Sequence, residues 1–500
     1  MSSPIIIAGI EIPQADWDAT PESVRALVTV LSERLAHIEE QLNQNSQNSS
    51  RPPSSDGFGK PGQSTAEKQS QKKRKKKRSR SGSSSKPPKL YPIESCREVH
   101  VHVPERCAHC GEQLSGTDEQ PHCHQIIDIP PLEPYVIEHQ LHQLDCAFCG
   151  EKTRAPLPIE VPTTGYGDRL AAIVAWLSGE HRQSHRMVQS LLYTLFGVEL
   201  SRGSVNRLRQ QVSEAVAAPV EEAHEYVQTQ AFVHSDETGF TQGNGDGLNP
   251  TQTQGWLWVL VTPLVAVFSV VLSRSQATAK ALLGVTFKGI LISDRYSSYT
   301  WLDPLRRQLC WAHLKRDLKA MADRSGVSKA IGEALLRRER RLFRWWHRVR
   351  DGTMSREQFI AAVELLRIGF KAELEAAAAL PIGKNEKTPL AKTVRTARKL
   401  LTVEAALWTF VYVRGIEPTN NCAEQALRGA VIWRRTSFGS QSKAGSQFVA
   451  RILTVVTSLK AQKRNPVEYL TEACRAKRLA IAAPSLVPQT HTDTETPIAA

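Results

Sequence analysis

Residues 255–272 read GWLWVLVTPLVAVFSVVL, and this apolar stretch decides the fold. Both halves are rich in β-branched and aromatic residues, which favour buried strands. Thr262-Pro263 between the halves is typical of a tight turn. We therefore predict two core strands, at 255–261 and 264–272.

Further strands and helices are predicted on either side of this pair. A strand at 231–235 ends at Asp236, and a strand at 289–293 ends at Asp294. Three strands, a helix, a strand and a helix is an α/β order, so we predict a mixed five-stranded sheet. The other predicted elements are a helix at 276–283, a fifth strand at 307–310 and a helix at 311–321.

Asp236 and Asp294 are each predicted at the carboxyl end of a buried strand. An ionised carboxylate there is costly unless it is paired or bound to a metal ion. One such residue is commonly a cap or a turn residue. Two at corresponding strand ends suggest a site for a divalent cation.

A third acidic residue lies on a predicted helix nearer the C-terminus. Residues 414–428 read RGIEPTNNCAEQALR, in which either Thr419 or Asn420 is a suitable helix cap. Glu424 then lies one turn into the helix and shares a face with Arg428.

The segment between Asp294 and Glu424 is predicted to be mostly helical. Its most basic stretch, RRERRLFRWWHRVR at 337–350, has two interpretations. It is either a nucleic-acid contact, with Trp345 and Trp346 as stacking surfaces, or an amphipathic helix with both Trp residues in the core.

Two C-x-x-C pairs, separated by 35 residues, predict a metal site. Four thiolates at such spacing supply a closed, structural Zn²⁺ site that stabilises a small segment. The gap exceeds the usual ~15–20 residues, and four unrelated cysteines are the alternative. The predicted ligands are Cys107, Cys110, Cys146 and Cys149, with His122, Cys123 and His124 as alternatives.

Residues 168–216 predict three helices, the last beginning after Ser201 as N-cap. The Gly-containing turn before it is typical of a helix-turn-helix motif, although a plain helical hairpin has the same pattern. In a DNA-binding motif the third helix would present side chains to bases and phosphates. These side chains are Arg202, Asn206, Arg207 and Arg209.

The N-terminal region predicts a helix followed by a disordered linker. Apolar residues from Val24 to Leu42 are spaced by four and three residues, which predicts a short dimerising coiled coil. A helix packed on its own domain is the alternative. Residues 43–92 have hardly an aliphatic residue, and their run KKRKKKR at 72–78 would bind phosphate backbones without reading sequence.

Length and charge agree with several domains and a polyanionic partner. The chain has 500 residues and a formal charge of +14. Residues 51–90 hold 13 Lys and Arg against 2 Asp and Glu, and residues 391–480 hold 16 against 5. No apolar run approaches the ~20 residues that cross a bilayer, and no signal peptide or disulfide framework is predicted.

Five motifs together resemble the bacterial transposases of insertion sequence sixty-six type. They read HSDETG, ISDRYSSY, CWAHLKR, TNNCAEQALR and SFGS, beginning at His234, Ile292, Cys310, Thr419 and Ser437. The similarity covers most of the chain, including the leucine-rich helix, the PPSSD segment at 52–56 and the cysteine pairs.

The resemblance implies a DDE catalytic domain of RNase H-like fold. In such a domain Asp236, Asp294 and Glu424 hold two catalytic Mg²⁺ ions, for which Mn²⁺ can substitute. It implies hydrolysis at the ends of a mobile DNA element, followed by attack of the freed 3′-OH on target DNA. Glu237 directly follows Asp236 and Glu417 lies seven residues before Glu424, so these acids are alternatives for the third ligand. We expect phosphate or supporting contacts from His313, Arg316, Arg428, Arg434 and Arg435.

The predicted architecture is multidomain α+β. It comprises a coiled-coil helix at 1–46, a disordered basic linker at 47–92, a zinc-binding module at 93–160, a helix-turn-helix-like region at 165–225, a catalytic core at 228–325 and 409–480 that flanks a helical insertion at 326–408, and a disordered tail at 481–500.

We expect a cytoplasmic, nucleoid-associated protein that binds element ends and target DNA. Self-association through the N-terminal helix and accessory proteins encoded nearby are further expectations. Two other classes remain open: a non-enzymatic DNA-binding regulator on a degenerate scaffold, and a nuclease or junction-cutting enzyme of similar fold.

Overall fold

The computed structural model describes residues 5–7, 10–42, 44, 48–49 and 90–488. The basic run at 72–78 lies outside these residues, as do most of the predicted linker and tail. The chain divides into two compact units, of which the smaller comprises 57–135 and 195–197 and the larger the remainder.

Within the described ranges the chain forms nine strands and fifteen α-helices. The strands are β1 Ile5–Ile7, β2 Ile10–Ile12, β3 Gln143–Asp145, β4 Lys152–Arg154, β5 Phe232–Gly239, β6 Trp256–Val261, β7 Ala266–Val271, β8 Ile290–Ser293 and β9 Arg307–Leu309. The helices are α1 Gln14–Ala19, α2 Glu22–Leu42, α3 Asp168–Gly179, α4 His185–Phe196, α5 Arg202–Ala215, α6 Ala217–Gln228, α7 Gln276–Leu283, α8 Trp311–Ala322, α9 Gly326–Arg350, α10 Arg356–Ala379, α11 Pro389–Leu401, α12 Thr409–Tyr412, α13 Asn421–Ser437, α14 Lys443–Ala461 and α15 Pro466–Arg478.

A five-stranded mixed sheet forms the centre of the larger unit, in the order β7-β6-β5-β8-β9. Strands β5, β6 and β7 are antiparallel neighbours, whereas β8 and β9 run parallel to β5. The apolar run that predicted β6 and β7 is buried over most of its length. The predicted mixed α+β fold with a five-stranded sheet is therefore confirmed.

The end of the first core strand was predicted wrongly. β5 does not end at Asp236 but continues to Gly239, because it pairs with β6 as far as Gly239↔Trp256. Its pairing with β8 ends at His234↔Ile292. Asp236 therefore lies inside β5, just beyond the point where the parallel pairing stops.

Helix α14 covers the outer edge of the sheet. The backbone N–H of Ala266 donates to Ser458 Oγ at 3.0 Å, and that of Phe268 donates to Thr454 Oγ1 at 2.9 Å. These bonds satisfy donors that an edge strand would otherwise expose to pairing with another chain. The first core hairpin is thereby fixed to the C-terminal helices.

Helices α9, α10 and α11 form a helical layer that packs against α8 and β9. Trp346 is buried there against the rings of Phe359 and Phe410, and Trp345 is partly buried against the same core. The amphipathic-helix interpretation of the stretch at 337–350 is therefore correct for its Trp pair.

The helices predicted at 168–216 form as expected. The Ser201 side chain caps α5 by accepting the backbone N–H of Ser204 at 3.0 Å. Helices α3 and α5 pack against α14 and α15, and an ion pair joins Asp168 to Arg478 at 2.6 Å. The helical region thus shares a core with the C-terminal helices.

Strands β3 and β4 form a hairpin around Cys146 and Cys149. Apolar and polar residues alternate at 125–128 and 135–141, a pattern typical of strands, but neither segment is a strand. Ile126 and Tyr135 are 85% and 90% exposed, so alternation without a partner surface does not produce a sheet here.

The predicted N-terminal helix is present as α2. Several residues of its apolar seam, including Val24, Leu31, Leu35 and Ile38, are about half exposed. The coiled coil stays a prediction. In the part of the chain that the structure describes, no helix has both the length and the apolar character that crossing a membrane requires.

Candidate active site

The parallel register of β5 and β8 places the two aspartates side by side. Val233 pairs with Leu291 and His234 with Ile292. The same offset, continued by two residues, sets Asp236 beside Asp294, which directly follows β8. The two aspartates therefore lie side by side, although Asp236 lies within β5 and not at its end, where the sequence predicted it.

Asp236 lies in an environment that disfavours its ionised form. Burial raises the pKa of the Asp236 carboxyl well above its usual range, and the charges of Glu237, Asp294 and Glu424 raise it further. Like-charged carboxylates cannot all ionise at close range without a compensating cation. We call Asp236, Asp294 and Glu424 the acidic edge.

Glu237 follows Asp236 but belongs to a different network. Its carboxylate pairs with Arg274 at 2.8 Å and accepts the hydroxyl of Tyr299 at 2.5 Å. Arg274 also stacks on Tyr296, with its guanidinium carbon 3.6 Å from the ring centroid. Burial raises the pKa of Glu237, although the bonds from Tyr299 and Arg274 counteract part of this rise. Because Arg274 and Tyr299 already bind its carboxylate, Glu237 is not counted among the candidate metal ligands.

Asn420 fixes the helix that carries Glu424 to strand β5. Its side-chain amide donates to the carbonyl oxygen of Ser235 at 2.8 Å and accepts from His234 Nδ1 at 3.1 Å. Asn420 occupies the N-cap position of α13, yet its side chain makes no capping bond. The sequence predicted a cap, and the structure shows instead a fully buried clamp between α13 and β5.

Glu424 also faces the start of helix α8. Its Oε1 atom lies 3.5 Å from His313 Nδ1. Ligand atoms of Cys310, His313 and Glu424 all lie within 4.8 Å of one another. The sequence marked Cys310 only as part of a motif, although its C-x-x-H spacing with His313 was a signal for this grouping.

The acidic edge fits a divalent cation by its donor set. Carboxylate oxygens are the ligands that Mg²⁺ prefers. Glu424 Oε1 is a buried atom that has no hydrogen-bond partner among the described residues. Burial and the charges of Glu237, Asp294 and Glu424 raise the pKa of Asp236, so a cation beside these carboxylates would stabilise their ionised form.

Basic residues on α13 differ in what they contact. Arg434 donates to Thr238 Oγ1 at 2.7 Å and to the carbonyl of Gly239 at 2.5 Å, so it supports the end of β5. Arg428 and Arg435 are exposed, and Arg316 on α8 is partly exposed. Among the residues predicted to contact phosphate near the acidic edge, Arg434 therefore binds other parts of the protein instead.

Three of the four residues predicted to contact DNA from helix α5 are exposed to solvent. Arg202, Asn206 and Arg207 on α5 are exposed. Arg209 instead packs against α4 and α14, where it stacks on Phe448 and contacts His185. Burial lowers the pKa of Arg209 to about 10.

Each cysteine pair forms a tight turn of the same kind. The backbone N–H of Gly111 donates to the carbonyl of Cys107 at 2.9 Å, and that of Gly150 to the carbonyl of Cys146 at 2.8 Å. Hydrogen bonds from following backbone N–H groups lower the pKa of the Cys107 and Cys146 thiols. A lowered pKa favours the thiolate, which is the metal-binding form.

The mixed sheet with carboxylates at one edge fits the fold of a transposase. The model of the Transposase IS66 family matches residues 165–448, which is more than half of the chain. The chain belongs to this family, which implies a protein that binds DNA. Residues 11–89 match a Family of unknown function (DUF6444).

Two relatives come from Sinorhizobium fredii (strain NBRC 101917 / NGR234). Uncharacterized protein y4qI is 26% identical over 411 residues, which are 76% of this chain and 72% of the relative. Uncharacterized protein y4hP is 25% identical over 423 residues, which are 77% of this chain and 73% of the relative.

Proposed function

We propose that the chain is a DDE-type transposase that cleaves the ends of a mobile DNA element and joins the 3′-OH to target DNA. The observation that carries this proposal is the acidic edge, where the shared register of β5 and β8 sets Asp236 beside Asp294, and where burial and the charges of neighbouring acids raise the pKa of Asp236. The strand order, with β5 parallel to β8 and antiparallel to β6, is the order expected of an RNase H-like domain.

Asp236, Asp294 and Glu424 would hold the catalytic Mg²⁺. Two such ions would supply stabilisation of the charge on the attacking and leaving oxygens of the phosphodiester. The chain's own contribution is to fix the carboxylates. The pairing of β5 with β8 sets Asp236 beside Asp294. The hydrogen bond from Asn420 to the Ser235 carbonyl holds α13, and therefore Glu424, against β5.

A stripe of arginines on α9 supports a DNA partner. Arg337, Arg340, Arg341, Arg344 and Arg348, here called the arginine stripe, are exposed. Their spacing of three and four residues places them on one side of the helix, over about 16 Å. Glu333 and Asp351 lie at its two ends, and the one acid between them in sequence, Glu339, is buried and paired with Lys315.

The stripe offers charge that the protein itself does not use. Within the described chain, Arg337, Arg341 and Arg344 have no ion-pair partner. We propose that the stripe binds a phosphate backbone, while the exposed residues of α5 approach bases. Backbone contacts position a protein on DNA, and base contacts specify the site.

The four cysteines are proposed to bind one structural Zn²⁺. The two similar turns and the lowered pKa values of Cys107 and Cys146 support this role. Elemental analysis of the purified chain should give at least one equivalent of zinc, and Cys107→Ser with Cys146→Ser should lose one. A protein that keeps its zinc after both substitutions would exclude these ligands.

The catalytic proposal is tested with Asp236→Asn, Asp294→Asn and Glu424→Gln on DNA that carries element ends. Each variant should lose Mg²⁺-dependent nicking and strand joining while retaining the gel shift of end DNA. Glu417→Gln is the matched control, because Glu417 is an exposed acid on the segment that precedes α13. It should nick and join at the wild-type rate.

The outcomes also separate the other classes. Gel shift without nicking in the wild type would favour a DNA-binding regulator. Nicking without joining would favour a nuclease. Joining by any of the three acid variants would remove that residue from the catalytic set.

A further inference from the structure

The group of Cys310, His313 and Glu424 is distinct in chemistry from the acidic edge. It combines a thiol, an imidazole and a carboxylate, whose ligand atoms lie within 4.8 Å of one another. Mg²⁺ does not favour sulfur or nitrogen ligands. Zn²⁺ and similar ions bind all three types and frequently use three protein ligands, with the fourth position open.

The scaffold brings these three residues together from two helices. Cys310 precedes α8 and His313 lies in its first turn, which places both at the same helix end. The backbone N–H of Trp311 donates to the carbonyl of Pro418 at 2.9 Å, which ties this end of α8 to the segment before α13. Glu424 is one turn further along that second helix.

The Cys310 sulfur is also held in place. The backbone N–H of Asn420 donates to Cys310 Sγ at 3.2 Å, and the Cys310 N–H donates to the carbonyl of Ser293 at 2.9 Å. Fixed ligands reduce the ordering that metal binding would otherwise require. The same Asn420 thus supports both the acidic edge and this group.

Two buried atoms of the group face each other without a hydrogen bond. His313 Nδ1 and Glu424 Oε1 have no hydrogen bond within the described residues, and their separation is 3.5 Å. Tetrahedral bonds of about 2.0–2.3 Å imply ligand separations of about 3.3–3.8 Å. The observed separation therefore suits two ligands of one ion, while unsatisfied buried polar atoms are otherwise costly.

We propose that Cys310, His313 and Glu424 form a binding site for a borderline or soft divalent ion, of which Zn²⁺ is the leading candidate. The site is separate from the four-cysteine site and shares only Glu424 with the acidic edge. When the ion is bound, Glu424 is withdrawn from the acidic edge. On the proposed function, Zn²⁺ is then an inhibitor of the Mg²⁺-dependent reaction.

The site is tested by titrating the metal-free full-length chain with Co²⁺, which reports thiolate ligation by its charge-transfer absorption. The wild type should bind one more Co²⁺ than Cys310→Ser or His313→Ala and show a stronger sulfur-to-cobalt band. Glu424→Gln should weaken this binding at least about 100-fold, since loss of even an outer partner of a ligand costs about 10–100-fold.

Cys474→Ser is the matched control. Cys474 and Cys310 are both buried, at 2% exposure each, but Cys474 lies on α15 away from the group. It should bind Co²⁺ as the wild type does. Equal stoichiometry and spectra in wild type and Cys310→Ser would overturn the site. If Cys310→Ser unfolds, His313→Ala decides alone, because the His313 side chain is 27% exposed and less able to disturb the core.

A second measurement tests the inhibition. Zn²⁺ added to a nicking reaction at fixed Mg²⁺ should reduce the rate at concentrations that fill the site. An undiminished rate with the site filled would overturn the claim that Glu424 is withdrawn. The Co²⁺ titration requires no turnover, so it distinguishes failure of this site from failure of the proposed transposase activity.

Discussion

Asp236 and Glu237 are neighbours on β5, yet their surroundings are opposite in kind. Glu237 is paired with Arg274 and hydrogen-bonded by Tyr299. Asp236 has acids around it, and its Oδ1 accepts only the backbone N–H of Glu237 among the side-chain bonds of the described chain. Consecutive strand residues point to opposite faces, so one strand holds both arrangements.

The contrast distinguishes acids that stabilise the fold through partners within the protein from acids whose charge requires a bound cation. A buried carboxylate with a cation and hydrogen bonds is satisfied by the protein itself. Where burial and neighbouring acids raise the pKa of a carboxyl group, its charge is compensated only when a proton or a metal ion binds. Four predictions on these acids and on Asn420 test this separation, and a fifth concerns the arginine stripe, in order from the largest effect to the smallest.

Asp236→Asn should reduce Mg²⁺-dependent nicking by about 10³-fold or more. Stabilisation of transition-state charge by a metal ion amounts to several kcal/mol, and each 1.36 kcal/mol is tenfold in rate. Single-turnover nicking of end DNA measures the change. A rate within tenfold of the wild type would contradict the assignment of Asp236.

The same substitution lowers the rate but should raise the stability of the metal-free protein at neutral pH. Because the pKa of Asp236 is raised, the folded state binds more protons than the unfolded state above the usual pKa of Asp. Without metal ions the free energy of unfolding should therefore fall as pH rises through this range. Asp236→Asn should remove that part of the fall in thermal-denaturation profiles.

Glu237→Gln should destabilise the fold by about 3–5 kcal/mol, the range for removal of one partner from a buried ion pair. The Glu237 side chain is 1% exposed, so water cannot replace the carboxylate beside Arg274. Urea unfolding measures the loss. Glu417→Gln is the control and should change stability by less than about 0.5 kcal/mol, as surface substitutions usually do.

Asn420→Ala should lower both stability and metal affinity. The carbonyl of Ser235 and His234 Nδ1 lose their partners, at about 1–3 kcal/mol for each unsatisfied group. Asn420 is a positioning residue, so a higher Mg²⁺ concentration should be needed for half-maximal nicking. A loss of stability at unchanged Mg²⁺ dependence would reduce Asn420 to a structural role.

Arg341→Gln and Arg344→Gln should each weaken DNA binding independently of sequence. Each lost phosphate contact should lower the slope of log affinity against log salt by about 0.9. Fluorescence anisotropy at several salt concentrations measures it. Lys371→Gln is the control on α10, because Lys371 is an exposed cation paired with Glu375; an equal change there would leave the stripe without a special role.

Local pattern predicted the sheet and the positions of its acids. The apolar runs predicted β6 to β8, and the helix at 276–283 has the predicted bounds. The end of β5 was missed because pairing with β6, a contact between strands, extends it past Asp236.

The tertiary contacts of the site could not be read from sequence. Asn420 looked like a cap, since its partners Ser235 and His234 lie nearly 200 residues earlier in the chain. Arg209 and Arg434 looked like DNA contacts by residue type, but packing uses both inside the protein. Residue type indicates what a side chain can bind, whereas the fold decides whether it is free to do so.

The most direct test of the acidic edge is metal binding measured by thermal unfolding. Mg²⁺ should raise the unfolding midpoint of the wild type, because an ion that binds only the folded state stabilises it by mass action. In Asp236→Asn this rise should be lost, while Glu417→Gln should keep it. An equal rise in wild type and Asp236→Asn would contradict the claim that Asp236 belongs to a metal centre.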